Sequence, residues 1–180
     1  MISEETGKSW RGMSEEILVG MTEWRQQNPK ATFRAIEEEL DRRLDDLRAR
    51  MLSDLAIASA KTEWEKGSGA PECPTCKKRL QPNGKKKREL QTRGGKSIKL
   101  EREYGVCPAC GQGIFPLDEE LELLPGGLSP HGYESLTRLA GWISFKRAAE
   151  LFEDFTGIHV DKSSCRRYAE AAGKAYENLQ

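Results

Sequence analysis

Four cysteines lie in two short motifs of the same form, Cys73-Pro-Thr-Cys76 and Cys107-Pro-Ala-Cys110, with thirty residues between them. Two residues between paired cysteines allow one tight turn to point both thiolates at the same ion. Two such pairs supply a tetrahedral ligand set, and four protein ligands leave no open position for water. The spacing therefore predicts a structural Zn²⁺ site, not a catalytic one, held by Cys73, Cys76, Cys107 and Cys110.

A redox pair or a set of disulfides is the other use that such cysteines could have. A redox Cys-x-x-Cys motif is typically a single pair beside a βαβ pattern, and this sequence has two pairs around a different pattern. No signal peptide precedes the motifs, so we expect a reducing cytoplasmic compartment and free thiols. Zinc is the favoured interpretation.

The segment between the motifs predicts a β-hairpin. Lys86 to Thr92 and Ser97 to Tyr104 alternate apolar or β-prone residues with charged ones, and Gly94-Gly95 separates the two runs. Two cysteine turns joined through a hairpin form a zinc ribbon, whose core is too small to fold without its metal.

Basic residues are concentrated in this hairpin. Between Lys77 and Arg102 there are 11 Lys or Arg residues and two Glu, although the whole chain carries 29 basic and 29 acidic residues. A basic segment between acidic helices is typical of polyanion binding, and a merely solvated hairpin face is the alternative. The side chains predicted to contact phosphates are Lys85, Lys86, Lys87, Arg88, Arg93 and Lys96.

The amino-terminal part of the chain predicts helices. Met1 to Gly12 show no hydrophobic period and predict a loose segment, whereas Met13 to Gln27 predict a short helix capped by Ser14. Asn28-Pro29 is expected to end that helix.

A longer helix is predicted from Thr32 to about Trp64, before a Gly67-to-Pro71 linker. Its apolar residues recur at spacings of three and four: Phe33, Ile36, Leu40, Leu44, Leu47, Met51 and Leu55. This stripe fits core packing in a small helical head, and it equally fits the seam of a coiled-coil homodimer formed through the 32–64 helix.

Three helical segments follow a second linker at Pro125 to Pro130. They run from about His131 to Ile143, from Phe145 to Phe155, and from near Asp161 to Leu179. Gly157 suits the end of the second segment, and Asp161 or a following serine suits the cap of the third. This order is typical of a helix-turn-helix, although a general helical hairpin also has it.

The third of these helices would be the recognition helix in a DNA major groove. Arginine suits guanine edges, and both basic residue types suit phosphates. The residues that it would present are Lys162, Ser163, Ser164, Arg166 and Arg167. Cys165 is expected to be buried as a small apolar residue, and His131 and His159 are expected not to be metal ligands.

The predicted fold is therefore mostly α-helical with a small β zinc ribbon. Residues 1–66 form a helical region, 72–117 the ribbon and 128–180 the helix-turn-helix. No apolar run approaches the roughly 18 residues that a membrane helix needs, so no membrane partner is expected.

Several of these segments, in this order, resemble bacterial insertion-sequence transposases of the Kra type. The resemblance covers most of the chain from about Thr22 and is densest from Cys73 to Arg167. Besides the two Cys-Pro-x-Cys motifs, the matching segments are Thr92 to Gly95, Glu101 to Tyr104, Phe115 to Asp118, Leu128 to Pro130, Arg147 to Leu151 and Ser163 to Arg167.

The resemblance implies a nucleoid-associated protein that binds double-stranded DNA at the ends of a mobile element. In that family the ribbon and helix-turn-helix precede an RNase H-like catalytic domain, in which three acidic residues hold two Mg²⁺ ions. We expect no such sheet before Gln180, so no catalytic residue is assigned and the enzymatic status stays open. The expected function is DNA binding by the amino-terminal portion of a transposase, from a truncated, split or frameshifted reading frame.

Two other functions remain open at this point. A zinc-ribbon adaptor would bind protein, with the Phe33-to-Leu55 helix as a dimer or partner seam, and would leave the basic hairpin solvated. A DNA-binding repressor of transposition would use the same DNA contacts as the transposase itself.

Overall fold

The computed structural model describes residues 2–59, 62, 64 and 69–177. The chain divides into two compact units: the first comprises Met1–Glu89 with Ile98–Leu123, and the second comprises Leu90–Ser97 with Leu124–Gln180. The described elements are helices with one small sheet. In chain order they are α1 (Glu4–Gln27), α2 (Phe33–Ile57), β1 (Gln81–Thr92), β2 (Lys96–Val106), β3 (Gly113–Ile114), α3 (Pro116–Glu120), α4 (Pro130–Trp142), α5 (Phe145–Thr156) and α6 (Lys162–Glu177).

Helix α1 begins well before the predicted start, so the expectation of a loose segment up to Gly12 is wrong from Glu4 onward. Ser3 caps the helix, because its hydroxyl accepts the Thr6 N–H at 3.0 Å. Ser14 lies inside the helix and donates to the Trp10 carbonyl at 2.9 Å. The early turns are held by a tertiary contact, in which Trp10 Nε1 donates to Asp54 Oδ2 at 2.9 Å. Hydrophobic periodicity does not report a contact of this kind.

Helix α2 begins as predicted, with Thr32 as its cap, but it ends earlier than Trp64. After its last residue, Ile57, the Thr62 hydroxyl donates to the Ile57 carbonyl at 2.9 Å and satisfies one of the orphan carbonyls. Residues 60, 61, 63 and 65–68 lie outside the described part of the chain, and they include Gly67 and Ser68 of the predicted linker.

The predicted hairpin is confirmed and is longer than expected. β1 and β2 are neighbours in the sheet, and a short 3₁₀ turn at Arg93–Gly95 connects them. β3 pairs antiparallel with the end of β2, with Gly105 opposite Ile114 and Val106 opposite Gly113. Leu80 and Ile114, which is part of β3, pack with Cys73 and Cys107 in one buried cluster.

The second unit contains the three predicted carboxy-terminal helices. Ser129 and Ser144 cap α4 and α5, and Gly157 ends α5 in the left-handed conformation with φ 69°. Cys165 is fully buried, as predicted. The helices enclose one core, made of Leu128, Leu136, Ala148, Ala149, Phe152, Ile158, Val160 and Cys165.

None of the helices in the described part of the chain combines the length and the apolar character that crossing a bilayer requires.

Candidate metal centre and nucleic-acid interface

The structure brings the four predicted cysteine sulfurs together within 4.8 Å of one another. Cys73 Sγ lies 3.7 Å from Cys110 Sγ, and Cys76 Sγ lies 3.3 Å from Cys107 Sγ and 3.9 Å from Cys110 Sγ. A tetrahedron with zinc–sulfur bonds of about 2.3 Å has sulfurs about 3.8 Å apart. These four residues, which we call the cysteine cluster, therefore fit a single metal ion without rearrangement of the chain.

Two turns with the same backbone pattern position the sulfurs. In the first turn Cys73 N–H donates to the Lys78 carbonyl at 2.8 Å, and the Cys73 carbonyl accepts from Lys77 N–H at 2.9 Å. The second turn repeats both bonds at 2.9 Å: Cys107 N–H to the Gln112 carbonyl, and Gly111 N–H to the Cys107 carbonyl. The shared spacing in the sequence thus produces a shared geometry.

The residue that follows each motif adopts the left-handed conformation. Gly111 has φ 73° and accommodates it without strain, whereas Lys77 has φ 58° and carries a cost of about 1 kcal/mol or more. In both turns this conformation bends the chain so that backbone N–H groups point toward sulfur.

These N–H groups stabilise thiolate, the form that binds metal. The backbone N–H of Cys110, assisted by that of Ala109, lowers the pKa of the Cys107 thiol to about 6. The backbone N–H of Lys78 acts on Cys76 in the same sense, but the neighbouring Cys107 sulfur raises the pKa of Cys76 to about 12. A second thiolate beside the first is disfavoured unless a cation lies between them, as expected for an assembled cation site.

Two residues that the sequence did not assign to the metal site, Gln112 and Trp64, complete its surroundings. The Gln112 side-chain oxygen accepts the Thr75 hydroxyl at 2.7 Å and so joins the two turns. Trp64, predicted to end α2, instead packs against the cluster, and a Cβ added at Gly105 would lie 3.0 Å from its ring. No periodicity or spacing predicts these contacts, because they join segments that are distant in the sequence.

The basic side chains of the hairpin fall into two groups. Lys85, Lys86 and Lys87 are exposed on β1, as the phosphate-contact prediction requires. Lys86 Nζ lies 4.2 Å from the Tyr104 ring centroid, and Lys87 Nζ lies 3.7 Å from a Glu101 oxygen. These are surface contacts of small energy, so both ammonium groups are available to an anion.

Arg88, by contrast, is only 13% exposed and is held by Asp118. Its Nη1 donates to Asp118 Oδ2 at 2.8 Å. Arg102 contacts the same carboxylate through Nε at 2.5 Å and through Nη2 at 3.1 Å, and its guanidinium lies 3.9 Å from the Phe115 ring centroid. The structure therefore places Arg88 in a buried ion cluster with Arg102 and Asp118, and not with the exposed lysines.

The first turn of α6 uses the predicted serines as part of its cap. Ser163 donates to the Asp161 carboxylate, and Ser164 donates to it through its hydroxyl at 2.7 Å and its N–H at 2.9 Å. These bonds, from Ser163 first and then Ser164, hold the pKa of Asp161 well below its usual range. The two hydroxyls are therefore engaged in the cap.

The basic residues of α6 remain on its surface. Lys162, Arg166 and Arg167 are exposed. Arg166 Nε donates to Glu170 Oε1 at 2.6 Å, and Arg167 Nη2 donates to the Ser164 hydroxyl at 2.8 Å. This end of α6 therefore combines exposed positive charge with a rigid start.

Neither histidine belongs to the metal-capable group. His159 Nδ1 lies 2.8 Å from Glu153 Oε2, and this carboxylate raises the pKa of His159. His159 is thus a surface partner of Glu153 in the turn before α6.

Similarity to known proteins does not identify this chain. Comparison with protein-family models, with curated proteins and with solved structures finds no match in any of the three. The functional argument therefore rests on the geometry of the cysteine cluster and of the basic surfaces.

Proposed function

We propose that this chain is the DNA-binding portion of an insertion-sequence transposase of the Kra type, acting on double-stranded element ends in the bacterial nucleoid. The observation that carries the proposal is the cysteine cluster at the base of a hairpin with exposed Lys85, Lys86 and Lys87. A metal-closed turn pair and a basic hairpin together are typical of a zinc ribbon that binds nucleic acid.

Zinc is the metal that the cysteine cluster suits best. Four thiolates in tetrahedral arrangement favour Zn²⁺ or iron, and the closed ligand set fits a structural role. In this role the metal folds the ribbon, and the lysines of β1 bind phosphates with strong salt dependence and little sequence preference.

Sequence discrimination is assigned to α6. α5, the turn at Gly157 and α6 supply the order of a helix-turn-helix, with Arg166 and Arg167 on the exposed first half of α6. The ion pair of Arg166 with Glu170 has side chains 64% and 51% exposed, and such solvent-screened pairs contribute little to stability. Arg166 can therefore exchange Glu170 for a guanine edge at little cost.

Strand transfer is not assigned to any residue of the described chain. Among the described residues, the cysteine cluster is the one group of three or more side chains arranged to hold a metal. We therefore assign to none of the described residues the role of the carboxylates that hold Mg²⁺ in the family's catalytic domain.

Replacing Arg166 with Ala is expected to relax sequence preference, whereas replacing Lys86 with Ala is expected to weaken binding to all duplexes alike. Loss of a base contact costs about 1–3 kcal/mol of binding free energy on the preferred sequence only. Loss of a phosphate contact reduces the slope of log affinity against log salt concentration, the salt slope, by about one. Fluorescence anisotropy separates the two effects when it is measured over a range of salt concentrations with two duplexes. One is an enriched duplex, selected from random sequences for binding to this chain, and the other is its shuffled counterpart.

Lys174 provides the control for this experiment, because it is exposed near the end of α6 and its replacement with Ala removes one charge far from the cap. This variant should bind both duplexes like the parent chain. If Arg166→Ala and Lys86→Ala each lost affinity equally on both sequences, the assignment of base contacts to Arg166 and phosphate contacts to Lys86 would be contradicted.

A second candidate function, self-association or protein binding through α2, is favoured by the exposure of its apolar stripe. Neither α1 nor α2 contains a buried residue. Phe33, Leu40, Leu44 and Leu55 are 75%, 38%, 44% and 51% exposed, and they follow one another at spacings of seven, four and eleven along one face. A second copy of α2 is the occupant that we propose.

Replacing Leu44 with Asp is expected to convert a concentration-dependent dimer into a monomer, because it introduces a charge into the apolar seam. Sedimentation equilibrium of the zinc-loaded chain measures the result. Leu124→Asp is the control, since Leu124 is 39% exposed outside α2. A parent chain that stays monomeric at every concentration, or dimers that both variants weaken equally, would exclude this seam.

A repressor of transposition would use the same DNA contacts. It is distinguished by its effect in cells: expression of this chain from a separate plasmid would lower the transposition frequency of the intact element.

A further inference from the structure

We propose that the hairpin tip, Leu90–Ser97, acts as a wing of the three-helix unit, in which Arg93 and Lys96 contact phosphates beside the bases that α6 reads. This inference rests on the proposed binding of duplex DNA by α6. It differs from the expectation drawn from the sequence, which grouped Arg93 and Lys96 with the lysines of the ribbon. In the structure the tip belongs to the same compact unit as α4, α5 and α6.

Backbone hydrogen bonds fix one strand of the tip to the segment that leads into α4. Gln91 N–H donates to the Gly127 carbonyl at 2.7 Å, and the Gln91 carbonyl accepts from Ser129 N–H at 3.0 Å. Ser129 is also the cap of α4, and its neighbour Leu128 is buried in the helical core. The tip is thus attached to the helices by main chain, which holds its position better than side-chain contacts would.

The other side of the tip lies against the turn between α5 and α6. A Cβ added at Gly95 would lie 2.6 Å from the Gly157 carbonyl oxygen, and one added at Gly157 would lie 3.1 Å from Gly95 N. Both glycines have positive φ. Only residues without a side chain allow two backbones to approach so closely, so this contact depends on a glycine at each position.

The tip also faces the first half of α6. Gln91 lines a small cavity together with Val160, Asp161, Ser164 and Tyr168. Three separate contacts therefore place the tip beside the start of the helix that carries Arg166.

The charge near this place is favourable for a phosphate. Arg93 is exposed on the tip, and two acidic groups that flank the adjoining turn are engaged, since Asp161 accepts from its two cap serines and Glu153 pairs with His159. A rigid basic turn beside a recognition helix can hold the DNA backbone next to the groove and fix the register of the helix.

A scan with single methylphosphonate substitutions tests the wing. Each substitution removes one phosphate charge from an enriched duplex, and the zinc-loaded full chain is compared with its Arg93→Gln variant. In the parent chain the phosphates bound by Arg93 should each contribute about two- to fivefold in affinity. In the Arg93→Gln variant, neutralising these phosphates should no longer change the affinity. These phosphates should lie within about five base pairs of the bases that the Arg166→Ala variant no longer discriminates.

Lys174→Gln serves as the charge-matched control, because it also removes one positive charge. Lys174 lies near the end of α6, about 18 Å from Lys162 at 1.5 Å per residue. Its scan should match that of the parent chain.

A second variant detaches the tip and leaves Arg93 in place. Gly95→Ala should lose the same set of phosphate contacts, because the new Cβ pushes the tip away from Gly157. Gly84→Ala is the matched control: Gly84 has φ +82° and its added Cβ meets nothing within 4 Å, so backbone strain is introduced without displacement.

Each outcome decides the inference. If Arg93→Gln leaves the scan unchanged, or if the affected phosphates lie more than a helical turn from the discriminated bases, the wing is excluded while DNA binding by α6 stands. If the parent chain prefers no duplex sequence, both the proposed function and the wing fail.

Discussion

Cys107→Ser is expected to abolish stoichiometric metal binding and to unfold the base of the hairpin. Apparent binding free energies of structural zinc in small domains are about 10–16 kcal/mol, and this energy is folding energy because the unfolded chain has no preformed site. The apolar residues around the cysteine cluster are few: buried Leu80 and Ile114 with partly buried Trp64. They cannot replace a lost metal, since a core of this size does not stabilise a fold by itself.

The measurement is zinc content per chain after dialysis, together with hydrogen exchange of the β1 and β2 amides. Cys165→Ala is the matched control, because Cys165 is a fully buried cysteine in the core of the other unit. It should lower stability modestly by leaving a small cavity and should retain one zinc per chain.

Retention of one tightly bound zinc by Cys107→Ser, with unchanged amide protection, would show that the cluster is not the metal site. Iron in place of zinc in the parent chain would correct the identity of the ion and leave the four-thiolate centre intact.

Features that depend on neighbouring residues in the sequence were predictable. The two Cys-x-x-Cys turns, the hairpin with its glycine turn, the helix start at Thr32 and the cap at Asp161 all follow from local spacing and propensity. The cysteines then meet because the hairpin between them returns the chain to its starting point, so one local prediction supports the other.

Features that depend on distant partners were not predictable in the same way. α1 begins nearer the amino terminus than predicted because Trp10 donates a hydrogen bond to Asp54 on α2. The hairpin tip joins the helical unit because Gly95 meets Gly157. Charge counts gave each basic residue of the hairpin the same role, whereas the structure separates exposed Lys86 from Arg88 held by Asp118.

Asp118→Ala is expected to lower the free energy of unfolding of the first unit by about 3–5 kcal/mol, because it removes the carboxylate that binds the guanidinium groups of Arg88 and Arg102, whose side chains are 13% and 7% exposed. Arg102 would keep the Lys86 carbonyl, at 3.2 Å from its Nη1, and the Phe115 ring, but it would lose the carboxylate that neutralises it. An uncompensated buried charge costs more than the intact pair contributes.

Urea unfolding measures this loss as a lower midpoint at unchanged slope. Glu119→Ala is the control, since Glu119 is the exposed acidic neighbour on α3, and its effect should stay within about 0.5 kcal/mol. A loss of less than about 1 kcal/mol in Asp118→Ala, or one equal to that of Glu119→Ala, would show that the cluster is solvated and carries little stability.

The same cluster decides the role of Arg88. If Asp118 holds Arg88 as a structural group, Arg88→Ala should lower the unfolding midpoint and leave the salt slope of DNA binding unchanged. Lys86→Ala should do the reverse, because the Lys86 ammonium is exposed. A lower salt slope in Arg88→Ala at unchanged stability would return Arg88 to the phosphate-binding set and would mean that DNA can draw it away from Asp118.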